Sequence, residues 1–439
     1  MASLEVVSGD VVSQRVKGAG VRGVLVRGLG RSYGDAAQNG GGVVLRLDQS
    51  LSEVLLDETA GTAVVPAGVS IDDLLRLIVP RGWFVPVTPG TRFVTIGGAI
   101  ASDVHGKNHH VDGTFGSHVE RMTMVLADGA LHMVDPSMPL FWATVGGMGL
   151  TGVIVEATIR LLRIETSLMS VDTHKLVDLD ALLSAMADGD DSYRYSVAWI
   201  DLMARGRALG RSVLTRADHA AAAAVPDAAE PLRYGPRQLV TVPPVVPRGG
   251  VLTRSTVSVF NEMWFRRAPR HRMDELQSIP SFFHPLDAVG DWNRLYGRRG
   301  MVQYQFVVPF GQEATLTRIV ERFAESRIAC FLAVLKRFGP ENRAPLSFPQ
   351  RGWTLALDVP AAAPGVSSLF VEFDRLVLDA GGRHYFAKDG CTTAAAVRRG
   401  YPRLDDWREI RRHVDPHNRF QSDLGRRLEL IDRVGGADG

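Results

Sequence analysis

Pro89-Gly-Thr-Arg-Phe-Val-Thr-Ile-Gly-Gly-Ala-Ile-Ala-Ser-Asp-Val-His-Gly-Lys-Asn-His-His110 is the segment on which the fold turns. Paired glycines, small residues and a terminal polar cluster suit a backbone lying against a flat ring. Upstream, Val26-Arg-Gly-Leu-Gly-Arg-Ser-Tyr-Gly-Asp35 follows a strand-like run, and Gly28, Gly30 and Gly34 let backbone N–H groups approach a phosphate closely. A dinucleotide fingerprint needs G-x-G-x-x-G opening a helix, yet position 33 is Tyr and Ala36–Gly42 is a turn-rich stretch. Rossmann-type NAD binding is therefore disfavoured. Either segment alone is compatible with an ordinary hairpin loop, whereas the two together point to a nucleotide cofactor.

Around these segments the first 160 residues read as short β-branched runs between glycine turns: Val24–Val26, Val43–Leu47, Ala63–Ala67, Met122–Leu126 and Val153–Ile159. Ile71–Val79 predicts a helix, with Asp72 and Asp73 in its first turn and Pro80 ending it. Strand-like pieces follow at Ser196–Ile200 and Gln303–Val308, and helical spacing at Ala314–Glu325, Val366–Ala380 and Pro402–Val414. The proline-rich stretches Ala217–Pro231 and Val242–Gly250 read as flexible connections. The class is α+β, and 439 residues are enough for two domains.

Composition removes several alternatives. Apolar residues make up 45% and charged residues 22%, so the chain should fold, and a net charge of +2 without a basic arm speaks against nucleic acid. Cys330 and Cys391 are too few for a disulfide framework or a thiolate metal site. Met1–Gly20 lacks the pattern of an export signal, and no run of about 18 apolar residues occurs. A cytoplasmic protein, or one peripheral at the cell membrane, is expected. Of 50 basic residues only Lys17, Lys107, Lys175, Lys336 and Lys388 are lysine, which singles them out, because arginine cannot supply a compact, titratable ammonium. His105 and His109 stand at i, i+4, but Gly106 and Asn108 disfavour a helix there and no further ligand completes a set, so no metal is expected.

The ordered blocks RGLGRSYGDAAQNGGG, PGTRFVTIGGAIASDVHGKNHH, LFWATVGGMGLTGVI, FFHPLDAVGDWNRLYG, QYQFVVP, LKRFGPENRAPLSFP, YFAKD and VDPHNRFQSD resemble the vanillyl-alcohol-oxidase type of FAD enzymes. Within it they resemble the decaprenylphosphoryl-β-D-ribose 2′-oxidase family of actinobacterial cell-wall synthesis, over nearly the whole chain. The resemblance implies a two-domain fold with a PCMH-type FAD-binding domain over 1–165 and an antiparallel-sheet substrate domain over 166–375. Residues 376–439 would return to the FAD-binding domain.

It further implies non-covalent FAD held by Val26, Arg27, Gly28, Leu29, Gly30, Arg31, Ser32, Tyr33, Gly34, Asp35 and Ala36 at the pyrophosphate. Gly90, Thr95, Ile96, Gly97, Gly98, Ser102, Asp103, Val104 and His105 would border the flavin, with Ile154 toward the adenine and Tyr385 arriving from the C-terminus. Lys388 and His105 are the catalytic candidates; an ion pair with Asp389 is the competing reading of Lys388. Lys107, Trp199, Tyr296, Gln303, Gln305, Lys336 and Lys388 match the substrate pocket, although for Trp199 plain core packing competes. The implied reaction oxidises the 2′-hydroxyl of a prenyl-phosphoryl ribose to a ketone, and a short-chain NAD(P)H reductase partner then completes epimerisation to the arabinose donor. The residues do not identify the proton acceptor.

Two departures stand out. Ala356 occupies the position, within Trp353–Asp358, where many close relatives carry a cysteine, and the chain starts so close to the first glycine loop that a preceding strand and part of a helix are expected to be missing. Two other functions fit the motifs: a soluble alditol, aldonolactone or antibiotic-sugar oxidase of the same fold, and an FAD-binding assembly partner without catalysis.

Overall fold

The computed structural model describes residues 3–432 except 8, 49, 226–229 and 248. Ahead of the first glycine loop, strand Ser3–Val7 runs parallel to Val43–Leu47, which pairs in parallel with Val24–Val26. A parallel connection needs a crossover, and helix Gly9–Lys17 supplies it, burying Val12 and Val16 completely. A strand and a helix thus precede the loop, where a strand and part of a helix are expected to be missing; the short run Ser3–Val7 carries too little pattern to announce a strand. A five-stranded antiparallel sheet follows, in the order Leu55–Asp57, Thr62–Pro66, Val153–Arg160, Val119–Val125, Leu131–Val134. Helix Ile71–Ile78 begins where the Ser70 hydroxyl accepts from the Asp73 N–H, and it buries Ile71, Leu74, Leu75 and Ile78 at helical spacing.

The second half is an eight-stranded antiparallel sheet in the order His271–Ser278, Leu168–Leu176, Ser212–His219, Tyr195–Ile200, Leu332–Phe338, Gly352–Pro360, Met301–Pro309, Arg383–His384. Side chains alternate across such a sheet. Tyr304, Phe306, Val308, Leu335, Leu355 and Leu357 fall on one face, where they pack beneath helices Glu313–Ser326 and Val366–Asp379. Those helices offer Leu316, Ile319, Val320 and Phe323, and Val366, Leu369, Phe370, Phe373 and Val377, each set spaced to form one apolar stripe. The alternate residues of the same strands are left to line a cleft against the first half.

Three expectations shift. The division at 375/376 falls inside helix Val366–Asp379, whose apolar stripe ties it to the large sheet, and Arg383–His384 is still a strand of that sheet. The return to the FAD-binding half therefore begins only after His384. Ala217 is not in a loop but fully buried in strand Ser212–His219, while residues 226–229 lie outside the described set. Val242 is buried and its N–H bonds to the Gly290 carbonyl, beside the parallel pair Val240–Thr241 and Val289–Gly290, so the second proline-rich stretch is anchored at its start; residue 248 lies outside the described set.

The chain ends meet at the glycine loop. Val24 N–H donates to the Arg419 carbonyl, Gln421 N–H to Val24, and Tyr33 N–H to Ala387. Arg427 grips Asp35 at 2.7 Å and Asp389 at 2.9 Å. Among the described residues no helix is long and apolar enough to cross a membrane.

Candidate active site

The cleft between the two halves is lined by both glycine-rich segments, by the polar face of the large sheet and by the returning C-terminal segment. Strand register arranges that face in rows: Gln303, Asp358 and Leu332; then Gln305, Ala356 and Val334; then Val307, Thr354 and Lys336. Trp199 extends the middle row, opposite Val334.

Most of the expected cofactor residues border this cleft: Val26 through Tyr33, Ala36, Gly90, Thr95, Gly97, Gly98, Ser102, Val104, His105, Ile154 and Tyr385. Thr95 caps helix Ile96–Ala101 by accepting from the Gly98 N–H. The paired glycines thus lie in the first turn of a short helix, and Thr95, Gly97 and Gly98 border the cleft. Four expected residues stand back from it. Ile96 is in the apolar core, Gly34 turns at φ +62 against the Asp389 carbonyl, and Asp35 is spent on Arg427. Asp103 is fully buried and accepts from Gly116 N–H, Asn342 and Ser347, so it latches the second glycine segment to the 342–347 loop.

Of the expected substrate residues, Gln303, Gln305, Lys336 and Lys388 line the cleft. Lys107 points instead to the Phe282 carbonyl and sits 4.1 Å over that ring's centroid. Tyr296 is buried with its hydroxyl unpartnered among the described residues, close enough for the Asp358 charge to act on it. Trp199 is partly buried on its strand. The competing pair between Lys388 and Asp389 is absent among the described contacts: Asp389 accepts from Cys391 and Thr392 N–H groups and pairs with Arg427. The Lys388 ammonium instead lies 4.4 Å over the Tyr33 ring.

The electrostatics are unusual for so few groups. Burial lowers the Lys336 ammonium to about 7, with Lys388 adding repulsion. Burial lowers Lys388 to about 8, against the pull of Asp358. Burial also lowers Lys107 to about 7, again helped by Lys336. His105 is held well below its ordinary value by burial and the lysines, and is walled by Phe338, Phe348 and Tyr385. Its Nε2 is 2.9 Å from Gln305 Nε2, so with the amide donating, the neutral ring carries its proton on Nδ1. That Nδ1 is buried without a partner among the described residues.

These features fit a flavin dinucleotide. The Gly28 backbone passes so close to Thr95 that a Cβ there would lie 2.4 Å from its hydroxyl, and Gly30 turns at φ +65 above the Arg27 guanidinium, leaving a cradle with fixed positive charge. A Cβ at Gly90 would meet nothing within 4 Å, and His105, which lines the cleft, keeps a buried Nδ1 without a partner among the described residues.

Sequence reasoning missed Asp358, Trp292, Asp287 and Met148, which also line the cleft. Asp358 lies two residues from Ala356 and so on the same face of the strand, a period-two signal that places it on the cleft side but does not reveal its unpaired oxygen.

Comparison with known proteins agrees with this geometry. A profile described as an FAD binding domain matches residues 9–135, and one described as D-arabinono-1,4-lactone oxidase matches residues 307–428. The chain is 44% identical over 418 residues to the decaprenylphosphoryl-beta-D-ribose oxidase of Mycolicibacterium smegmatis, spanning 94% of this chain and 90% of that protein. It is 40% identical over 373 residues to an uncharacterized protein in the mprA 5′ region of Streptomyces coelicolor, across 82% of this chain and all (100%) of the relative. An alditol oxidase of a Streptomyces species is 25% identical over 439 residues, covering 96% of this chain and 93% of the relative. With 44% identity over 94% of the chain to the Mycolicibacterium enzyme, and a cleft lined by both ends of the chain, the protein belongs to the decaprenylphosphoryl-β-D-ribose oxidase family of FAD-dependent oxidoreductases.

Proposed function

We propose that the protein oxidises the 2′-hydroxyl of a prenyl-phosphoryl-β-D-ribose to the 2′-keto sugar. The observation that carries this reading is the pairing, in one cleft, of hydroxyl-binding amides with lysines. Gln303 and Gln305 offer amides suited to ribose hydroxyls, and Lys336 and Lys388 offer ammonium groups suited to a phosphate. An alditol has no anion to neutralise these partly buried lysines. Bound FAD supplies the two-electron acceptor. The chain's own work is to orient the sugar, hold charge and exclude water. In this reading Lys388 would stabilise negative charge that develops on the flavin ring, and neutral His105 would donate from Nδ1.

Anaerobic bleaching of the purified yellow protein by a prenyl-phosphoryl ribose tests the function. Bleaching by xylitol or a gulonolactone, with none by the phosphorylated ribose, would favour the soluble-oxidase alternative. The ketone product calls for a short-chain NAD(P)H reductase as the next enzyme. A lipid-linked substrate also calls for peripheral membrane contact, which the exposed Leu239, Val240 and Val245 support. Co-sedimentation with vesicles is expected, and should weaken when Leu239 and Val245 are changed to serine.

Lys336 carries its own prediction. A lysine whose folded value is depressed leaves the unfolded chain binding more protons, so its penalty is full below about 7 and fades as pH rises toward its unfolded value. Lys336→Met should therefore raise the denaturation midpoint at pH 7, remove part of the stability gained between pH 7 and 9, and raise KM for the phosphorylated sugar about tenfold. Paired thermal scans and steady-state kinetics would check both halves.

A further inference from the structure

We propose that Asp358 is the catalytic proton acceptor, its Oδ2 taking the 2′-hydroxyl proton as the C2′ hydrogen leaves as hydride to the bound flavin. The inference rests on the alcohol-oxidase reading of this same cleft. The step balances: the O–H proton goes to the carboxylate, the C–H electron pair goes to the flavin as oxidant, and the carbinol becomes a ketone. When the ketone leaves, the carboxylic acid returns its proton to water.

The geometry selects this residue from the cleft's few candidates. Asp287 is the other carboxylate lining the cleft, and it is spent: one oxygen accepts from Thr91, the other from Arg92. Asp358 is fully buried, with Oδ1 accepting from the Gln303 amide and Oδ2 unpartnered among the described residues. It is thus held by one oxygen and free at the other. His105 is neutral, and the Gln305 contact places a proton on its only unpartnered nitrogen, which makes that atom a donor. The register puts Asp358 directly beside Gln303 and two residues from Ala356, on the face that would meet the sugar. The small Ala356 side chain leaves room for a sugar carbon at that point.

The surroundings set the proton balance. Lys388 favours the anion, and Tyr33, Tyr296 and Cys330 feel its charge; Leu332 on the neighbouring strand is apolar. Burial raises the Asp358 carboxyl to about 7, while Lys388 sits at about 8. A proton shared between the two therefore rests on the lysine near neutral pH, leaving a carboxylate ready to accept another. An acceptor matched to the working pH is the efficient arrangement.

Asp358→Asn preserves shape and the Gln303 contact while removing the base. In the full-length holoenzyme, anaerobic reduction by a prenyl-phosphoryl ribose should slow by at least about a hundredfold, with KM within a few-fold of wild type. The rise in wild-type rate through about pH 7 should vanish. Independently of turnover, an infrared carboxylic-acid band that titrates near pH 7 should be present in wild type and absent in the variant. Should Asp358→Asn fail to retain FAD, Asp358→Glu keeps a carboxyl and should keep a pH-dependent limb, at a reduced rate. If wild type bleaches and either variant matches it in rate and pH profile, or if the infrared band persists in Asp358→Asn, the assignment falls. If wild type itself is not reduced by the phosphorylated ribose, the proposed substrate fails instead, and the infrared titration still decides whether Asp358 carries the raised carboxyl.

Discussion

Lys388→Ala is expected to slow the anaerobic reductive half-reaction by about 10²–10³-fold, the usual effect of deleting one preorganised electrostatic group from a reaction centre. The partly buried ammonium sits over the Tyr33 ring and within the field of Asp358, with no competing partner at Asp389. Its charge is therefore directed into the cleft rather than neutralised on the protein. Because the charge it answers appears only as hydride moves, kcat should fall far more than KM rises. The flavin reduction potential should also fall in the variant, a change that loss of packing alone would not produce. Lys388→Arg should rescue poorly, since a planar guanidinium cannot occupy the compact place over the ring. Retention of the full reductive rate in Lys388→Ala would remove this residue from the chemistry.

The second large effect is structural. Arg427→Ala leaves the Asp35 and Asp389 carboxylates facing each other without their shared cation. Asp389 is almost fully buried while Arg427 and Asp35 are partly exposed, so the loss should lie between that of a surface pair and a buried one, about 2–3 kcal/mol. The damage falls where the C-terminal segment clasps the glycine loop, so FAD should dissociate before global unfolding. A flavin-fluorescence transition several degrees below the circular-dichroism transition would show this; coincident, wild-type-like transitions would refute it.

The sequence declared the α+β class because strands such as Val43–Leu47 and Val153–Arg160 are β-branched and helices such as Val366–Asp379 keep an apolar stripe. The glycine loops were legible because tight turns and close backbone approaches exclude Cβ atoms, as at Gly28 beside Thr95 and at Gly30 with φ +65. The parallel strand Ser3–Val7 was not, since its partner Val43–Leu47 lies across a crossover and pairing of that kind leaves no local mark. Lys107 looked like a pocket residue by its motif, yet the carbonyl of Phe282 draws it aside. Asp103 looked like a cofactor ligand, yet Asn342 and Ser347 claim it. In both cases the deciding partner lies more than a hundred residues away, beyond any local pattern. Asp358 was hidden for another reason: its importance comes from what leaves its Oδ2 unpaired, and an unmet hydrogen bond has no signature in a string of letters.

The clasp between Val24, Tyr33 and the segment Ala387–Gln421 has a consequence for biosynthesis. A cradle and a lock that lie 392 residues apart cannot come together until both have been synthesised. The N-terminal half emerges with its glycine loop lacking the Ala387 carbonyl and the Arg427 cation, so tight loading of FAD is expected only once Arg427 has emerged. Chains cut just before Arg427 should therefore behave as cofactor-binding mutants, although the glycine motifs they leave behind are intact.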